Sequence, residues 1–285
     1  LRMRVNLLHK IGIIGFGNMG SVIAYQLAAQ ADEYEVYAFE KDKSKIIEGK
    51  SINFAENIPD LILKSDILIL AIKPQDFDRI LKELKGRVTD KLIISIAAGI
   101  STKHIEKYLG NVRVIRVMPN IAARIAESVT CISKGSFANE SDLESAREIF
   151  NFLGTVRSID EKMMNAATAI SGSGPGYIFY FIENNGLDPL NIPEHANHDM
   201  MRRLEKAAET LGFDAEDAAF LAANTVNASL SLLKSTKSTP EELRLQVTSK
   251  GGTTEAGLEI LRKGGSWEEA AKSALLRAEE LSKGS

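Results

Sequence analysis

IGIIGFGNMG, residues 11–20, is the stretch on which the fold turns. Ile-Gly-Ile-Ile reads as a short buried strand. Directly after it comes G-x-G-x-x-G, with glycines at Gly15, Gly17 and Gly20. Placed after a strand and at the opening of a helix, this pattern is a dinucleotide fingerprint. Gly15 permits the tight turn, Gly17 lets the backbone approach a pyrophosphate, and Gly20 lets helix and strand pack closely. The helix start supplies free N–H groups and a partial positive charge. Gly15, Phe16, Gly17, Asn18, Met19 and Gly20 are therefore the first cofactor-binding candidates. The competing reading is a glycine-rich turn that holds nothing.

Working outward, short apolar runs alternate with amphipathic segments. Strands are expected over 11–14, 35–39, 67–72, 92–96, 112–117, 129–133 and 156–159. Helices are expected over 18–30, 43–48, 75–85, 101–108 and 141–153. Alternation at this spacing predicts an α/β fold with a Rossmann-type, doubly wound parallel sheet. After about residue 161 strand-like runs cease. Helical patterns cover 162–170, 176–183, 200–211, 214–233, 240–248, 253–262 and 266–281. Asp214 and Ser266 read as N-caps, Gly212 and Gly264 as helix stops. The expected organisation is thus a leader or vector-derived remnant over 1–10, a dinucleotide-binding domain over 11–160 and an all-helical domain over 161–285. Helices so rich in Ala and Leu often pack against a second copy of the same chain.

Further cofactor candidates lie where open α/β sheets bind ligands, at the carboxyl ends of strands. Glu40 closes the second strand. An acid there normally accepts from a ribose 2′-hydroxyl, which weighs toward NAD over NADP. Lys41, Lys43 and Lys45 come next, and such cations can hold a 2′-phosphate or form a solvated helix start. AIKPQ, residues 71–75, offers Ala71, Lys73 and Pro74; SIAAG, residues 95–99, offers Ala97 and Gly99. Pro and Gly also simply end strands, so the two readings of these stretches stand side by side.

Composition bounds the rest. The chain has 285 residues, 44% hydrophobic and 26% charged, with net charge −3. There is no basic excess, so a nucleic-acid partner is not expected. No apolar run approaches the roughly 18 residues of a membrane span, so no membrane partner is expected either. The single cysteine, Cys131, excludes an intrachain disulfide and fits a reducing cytoplasm. No Ser-His-Asp pattern is apparent.

One late stretch interrupts the helices: VTSKGGTTEAG, residues 247–257. Gly-Gly costs a helix interior about 1 kcal/mol per glycine. The stretch is either a loop with ordinary caps or a device for holding something polar. Together with MPN at 118–120 and SGSGPGY at 171–177, behind the amino-terminal glycine motif, it resembles pyrroline-5-carboxylate reductase. The resemblance runs from about Lys10 to about Ser282, apart from one block. It implies reduction of 1-pyrroline-5-carboxylate to L-proline with NAD(P)H, by a Rossmann domain and a helical domain that forms homodimers or larger homo-oligomers. The substrate is a cyclic imine bearing a carboxylate, and the cofactor carries the hydride. The protein must bind the anion, hold the ring and help protonate its nitrogen. Amides of Gly251, Gly252 and Thr253 at a helix start suit a carboxylate, and Ser249 can donate a further bond. Thr254 can bond the ring nitrogen, and the resemblance points to the same residue as the catalytic candidate. A threonine hydroxyl is a poor acid, so Thr254 is expected to orient the imine or to relay a proton. Asn120 offers an amide to the cofactor. Ser171, Ser173 and Pro175 begin a helix that can face the nicotinamide. No metal is required.

Two departures from the family stand out. Lys250 replaces the proline that usually precedes Gly-Gly, which loosens the turn and adds a cation. About 20 extra residues, roughly 184–203, intervene in the helical domain, with Pro189 and Pro193 as breakers; a loop and a new helical turn are expected there. The block holds Glu194, His195, His198 and Asp199. His195 and His198 share a helix face and could serve zinc, but a solvated polar insertion is the preferred reading. Two rival functions remain. One is a hydroxyacid dehydrogenase, for which Lys162 is the nearest lysine without a matching motif. The other is a catalytically impaired nucleotide-binding or assembly protein.

Overall fold

A computed structural model of the chain describes residues 8–46 and 51–283. Residues 1–7 of the expected leader, and 47–48 of the helix expected over 43–48, lie outside that description; Lys43–Lys45 forms a short 3-10 turn. Eight strands make one sheet: β1 (His9–Ile14), β2 (Tyr34–Phe39), β3 (Asn53–Phe54), β4 (Ile67–Leu70), β5 (Leu92–Ser95), β6 (Arg113–Met118), β7 (Ser128–Lys134) and β8 (Gly154–Ser158). Their order is β3-β2-β1-β4-β5-β6-β7-β8. The pairings β1–β2, β1–β4, β2–β3, β4–β5 and β5–β6 are all parallel.

The chain enters in the middle, builds outward to β3, then returns to the other side of β1. Ile13 of β1 pairs with Ala38 on one side and Ile69 on the other. The reversal between β1 and β4 is the switch point at which such sheets bind ligands. β4 is buried along its whole length, as is β5, which a strand covered on both faces requires. Each fully buried Ile or Leu contributes about 1.5–3 kcal/mol. β1 starts two residues earlier than expected. His9 pairs with Tyr34 and Lys10 with Glu35, so both belong to the strand rather than to a leader.

Helices α1 (Asn18–Ala28), α2 (Ile58–Lys64), α3 (Phe77–Leu84), α4 (Thr102–Leu109) and α5 (Glu140–Asn151) accompany these strands. α3 buries Phe77, Ile80, Leu81 and Leu84, one face at helical spacing. β3 and α2 were not foreseen; two strand residues and seven helical ones are too few to show a period.

The chain forms two compact units whose division differs from a cut at 160. One takes the chain up to Val117 and again Ile132–Phe152; the other takes Met118–Cys131 and the chain from Leu153 onward. Local bonds explain the second assignment. Asn120 N–H donates to Ser128 Oγ at 3.0 Å, and Ser128 N–H to the Leu153 carbonyl at 2.6 Å. Arg157 on β8 donates to Asp217 at 2.5 Å and Glu216 at 2.8 Å.

The second unit is helical beyond β8. It runs through α6 (Met164–Ala167), a π turn (Thr168–Gly172), α7 (Gly174–Asn184), α8 (Glu194–Thr210), α9 (Ala215–Thr236), α10 (Pro240–Val247), α11 (Thr253–Arg262) and α12 (Trp267–Lys283). Asp214 caps α9, accepting from Asp217 N–H at 2.8 Å. Ser266 accepts from Glu269 N–H at 3.2 Å while the Glu269 carboxylate accepts from Ser266 N–H at 2.8 Å, a reciprocal capping pair.

The expected inserted block resolves into a loop and more than a new helical turn. α8 begins at Glu194 and runs unbroken to Thr210. Its buried residues Ala196, Met200, Leu204, Ala207 and Ala208 form one continuous face. Helix periodicity is legible here only from Met200, because Glu194, His195, His198 and Asp199 surround the single earlier core position, Ala196.

Candidate active site

In the first unit the glycines behave as three distinct devices. Gly15 has φ +99°, and a Cβ there would meet the Ala71 carbonyl oxygen at 2.6 Å. A Cβ on Gly20 would lie 2.1 Å from the Gly15 carbonyl oxygen, so α1 rests directly on the loop. Gly17 has no atom within 4 Å of the equivalent point. It is the N-cap of α1 and gives its helix no side-chain cap, which leaves main-chain donors facing open space. That opening is a cavity of about 760 Å³ lined by Phe16, Gly17, Asn18 and Met19 together with Ala71, Lys73, Pro74 and Ala97. An adjoining cavity of about 500 Å³ is lined by Gly15, Gly17, Glu40, Lys41, Lys45, Lys73 and Arg79. Two adjoining spaces meeting at Gly17 fit an extended dinucleotide with its phosphates at the helix start. Gly20 and Gly99 line neither cavity; Gly20 works from behind the loop.

Glu40 lines the adjoining cavity and is also engaged by main chain. One carboxylate oxygen accepts from Phe16 N–H at 2.8 Å, the other from Asp42 N–H at 2.9 Å. The side chain is buried and ties the glycine loop to the end of β2. Each carboxylate oxygen thus carries one main-chain bond, while the side chain also lines the adjoining cavity. Lys45 sits 3.9 Å from the Glu40 carboxylate.

Asn120 belongs to the second unit. Its side-chain oxygen accepts from Ala122 N–H at 3.1 Å and Val129 N–H at 3.3 Å, the role of a cap. Its buried amide nitrogen has no hydrogen-bond partner, so a donor is held ready.

The Gly-Gly turn is tightly braced. Gly252 N–H donates to the Ser249 carbonyl at 2.9 Å. Gly251 N–H donates to the Glu255 carboxylate at 2.6 Å, and Arg277 Nε donates to the Gly251 carbonyl at 2.7 Å. Gly251 needs its freedom, with φ +69°. A Cβ on Gly252 would lie 2.3 Å from Ser249 Oγ and 2.9 Å from its carbonyl oxygen. Two of the expected anion donors, the amides of Gly251 and Gly252, are therefore engaged within the turn. The donors without an intrahelical partner are the first-turn amides of α11, those of Thr253, Thr254 and Glu255. No side chain caps that helix.

Thr254 is buried and its hydroxyl donates to Ser173 Oγ at 3.3 Å; Ser173 in turn donates to Thr253 Oγ1 at 3.0 Å. The turn thus meets the SGSGPGY segment through hydroxyls. Ser171, by contrast, donates to the Ala167 carbonyl at 3.0 Å within its own turn. Arg277 and Glu255 were missed from sequence. Glu255 lies within the 247–257 stretch but nothing there shows that it reaches back to the turn, and Arg277 lies on another helix.

A family profile described as pyrroline-5-carboxylate reductase dimerisation matches residues 198–284, and one described as NADP oxidoreductase, coenzyme F420-dependent, matches residues 10–99. Pyrroline-5-carboxylate reductase of Methanosarcina acetivorans is 36% identical over 292 aligned residues, covering 96% of this chain and 97% of the relative. The chain belongs to the pyrroline-5-carboxylate reductase family. Among solved structures, Plasmodium falciparum pyrroline carboxylate reductase with NADP bound is 25% identical, covers 96% of this chain and 98% of its own, and superposes with a TM-score of 0.63. The Streptococcus pyogenes 1-pyrroline-5-carboxylate reductase is 30% identical, covers 95% and 98%, and has a TM-score of 0.62.

As a member of the pyrroline-5-carboxylate reductase family the chain is an NAD(P)-dependent oxidoreductase. The features that suggested other chemistry fall elsewhere. Lys162 is exposed and paired with Asp160 at 3.1 Å. Asp199 is bonded to Arg202 at 2.7 Å and Arg203 at 2.8 Å. Among the described residues no three His, Cys, Asp or Glu side chains gather around a metal-sized point. Among the same residues no helix is long and apolar enough to cross a membrane.

Proposed function

We propose that the chain reduces 1-pyrroline-5-carboxylate to L-proline with NAD(P)H, the last step of proline biosynthesis. The braced turn before α11 carries this reading. In one short stretch it offers unspent main-chain donors and a pair of threonine hydroxyls, the donor set for a small ring bearing a carboxylate. The carboxylate is held by the first-turn amides of Thr253, Thr254 and Glu255 at the positive end of α11, with Ser249 beside them. Gly251 and Gly252 shape the turn. Thr254 addresses the ring nitrogen. When bound, the reduced nicotinamide supplies the hydride. The loop from Gly15 to Gly20 holds the pyrophosphate, and Ala71, Lys73, Pro74 and Ala97 line the space for the rest.

NADPH is the better donor on this reading. Glu40 is engaged by two amides, and Lys41, Lys45 and Arg79 line the adjoining cavity as partners for a 2′-phosphate. Comparing thermal shifts with NADPH and NADH at equal concentration tests this, and a larger shift with NADH would overturn it. The protein acts as a homodimer or larger homo-oligomer in the cytoplasm; the dimerisation match over 198–284 supports the first part. Light scattering should give at least twice the chain mass of 31.1 kDa.

The test of the activity is oxidation of NADPH in the presence of 1-pyrroline-5-carboxylate. Turnover should vanish in Gly252→Asp and survive in Lys162→Ala. Cofactor binding without turnover of any imine would favour the nucleotide-binding alternative.

A further inference from the structure

The hydroxyls that join the turn to α7 differ in burial. Ser173 is 0% exposed and Thr254 5% exposed, whereas Thr253 is partly exposed. Ser173 is held at this crossing by the π turn, its N–H reaching back five residues to the Thr168 carbonyl at 2.9 Å. The Thr254 methyl packs at Gly176, where a Cβ would come within 2.5 Å of it. That contact leaves the Thr254 hydroxyl facing Ser173. Tyr177 is a further neighbour of Ser173, but its hydroxyl is fully buried and opens no route to solvent. Thr254 therefore reaches partly exposed Thr253 through Ser173.

A threonine alcohol that gives up its proton at neutral pH must be resupplied at once. We propose that Thr253 and Ser173 are positioning residues that form this supply line, passing a solvent proton to Thr254 and so to the ring nitrogen. The proposal rests on the turn being the imine site. Hydride from the reduced dinucleotide adds to the imine carbon, and the π pair of the C=N bond moves to nitrogen. An N–H bond forms there as the Thr254 O–H bond breaks. The Thr254 oxygen takes the Ser173 proton, Ser173 takes the Thr253 proton, and Thr253 takes one from a solvent acid. In the structure the donors run outward, from Thr254 to Ser173 to Thr253. Rotation about the C–O bonds reverses this polarity, which lets the same hydroxyls serve either direction of transfer.

Ser173→Ala and Thr253→Val, each in the full chain, test the line with 1-pyrroline-5-carboxylate and NADPH in H₂O and D₂O. We expect kcat to fall roughly 100-fold in each, the low end of positioned proton transfer, with KM within about twofold. The double variant should be no slower than the slower single one, as for groups acting in one path. The solvent isotope effect on kcat should change in both. Thermal midpoints report whether each variant is folded; Thr253→Val, at the partly exposed end, carries the test should Ser173→Ala fail to fold. Retained kcat, or a fall with an unchanged isotope effect, would overturn the supply line. If the unaltered protein and Ser173→Ala both turn over while Gly252→Asp does not, the imine site stands and the relay fails. If the unaltered protein does not reduce the imine, the site assignment itself fails.

Discussion

Gly17→Ala and Gly20→Ala differ by three positions and should produce opposite phenotypes. At Gly17 the added methyl meets nothing within 4 Å. The backbone there has φ −77°, so alanine adopts it without strain. Replacing glycine stabilises by about 0.4–1 kcal/mol through the unfolded chain, while alanine is a poorer N-cap by a similar amount. The net change in stability should stay within about 1 kcal/mol, a thermal midpoint within about 4 °C of the parent. The methyl instead occupies the space that the pyrophosphate approaches. NADPH affinity should fall at least about tenfold, or 1.4 kcal/mol. At Gly20 the methyl would sit 2.1 Å from the Gly15 carbonyl oxygen and 3.0 Å from the Ala71 Cβ. The first of these is main chain and cannot swing aside, so the cost belongs at the upper end of overpacking, about 3 kcal/mol. The midpoint should drop by roughly 6–12 °C, with or without cofactor. Thermal unfolding of the unliganded protein and a fluorescence titration with NADPH read the two effects separately. Unimpaired NADPH binding by Gly17→Ala, or an unchanged midpoint in Gly20→Ala, would refute the division of labour.

Other outcomes rest on single features. Gly252→Ala places a methyl 2.9 Å from the Ser249 carbonyl oxygen, so the turn must open; kcat/KM should fall about 100-fold, with the midpoint lowered by only a few degrees. Asp78 accepts from the Tyr108 hydroxyl at 2.6 Å and lies 2.8 Å from His104 Nε2, contacts that hold its carboxyl below the usual range. A lowered folded-state pKa stabilises above about pH 4 and is lost as pH falls through the folded value. Asp78→Asn should therefore lower the midpoint slightly at neutral pH, and the gap should close on acidification. Burial pushes the Cys131 thiol up to about 12, so thiol reagents near pH 8 should label the protein only after unfolding.

The parallel sheet was legible because its strands carry their own signals. ILIL in β4 and LIIS in β5 are apolar at every position but one, and the glycine loop fixes which end faces the ligand. At Glu40 sequence shows an acid at the right place but not the two amides that also bond it. The anion donors were placed slightly too early for the same reason. Gly251 and Gly252 look free until the bonds to Glu255 and the Ser249 carbonyl are seen. Ser173 lies 80 residues from Thr253, and no local pattern announces that pairing. α8 hid its first turns because polar residues crowd a single core position there.

The bond from Glu40 to Phe16 has a bearing on protein engineering. A carboxylate that bolts two stretches of main chain together is a fastener, whatever else it touches. Exchanging it for a small or basic residue, the usual first step in converting one coenzyme preference into another, would slacken the loop for both coenzymes alike. The adjustable positions are the surface lysines beside it, which can be changed one at a time while the fastener stays in place.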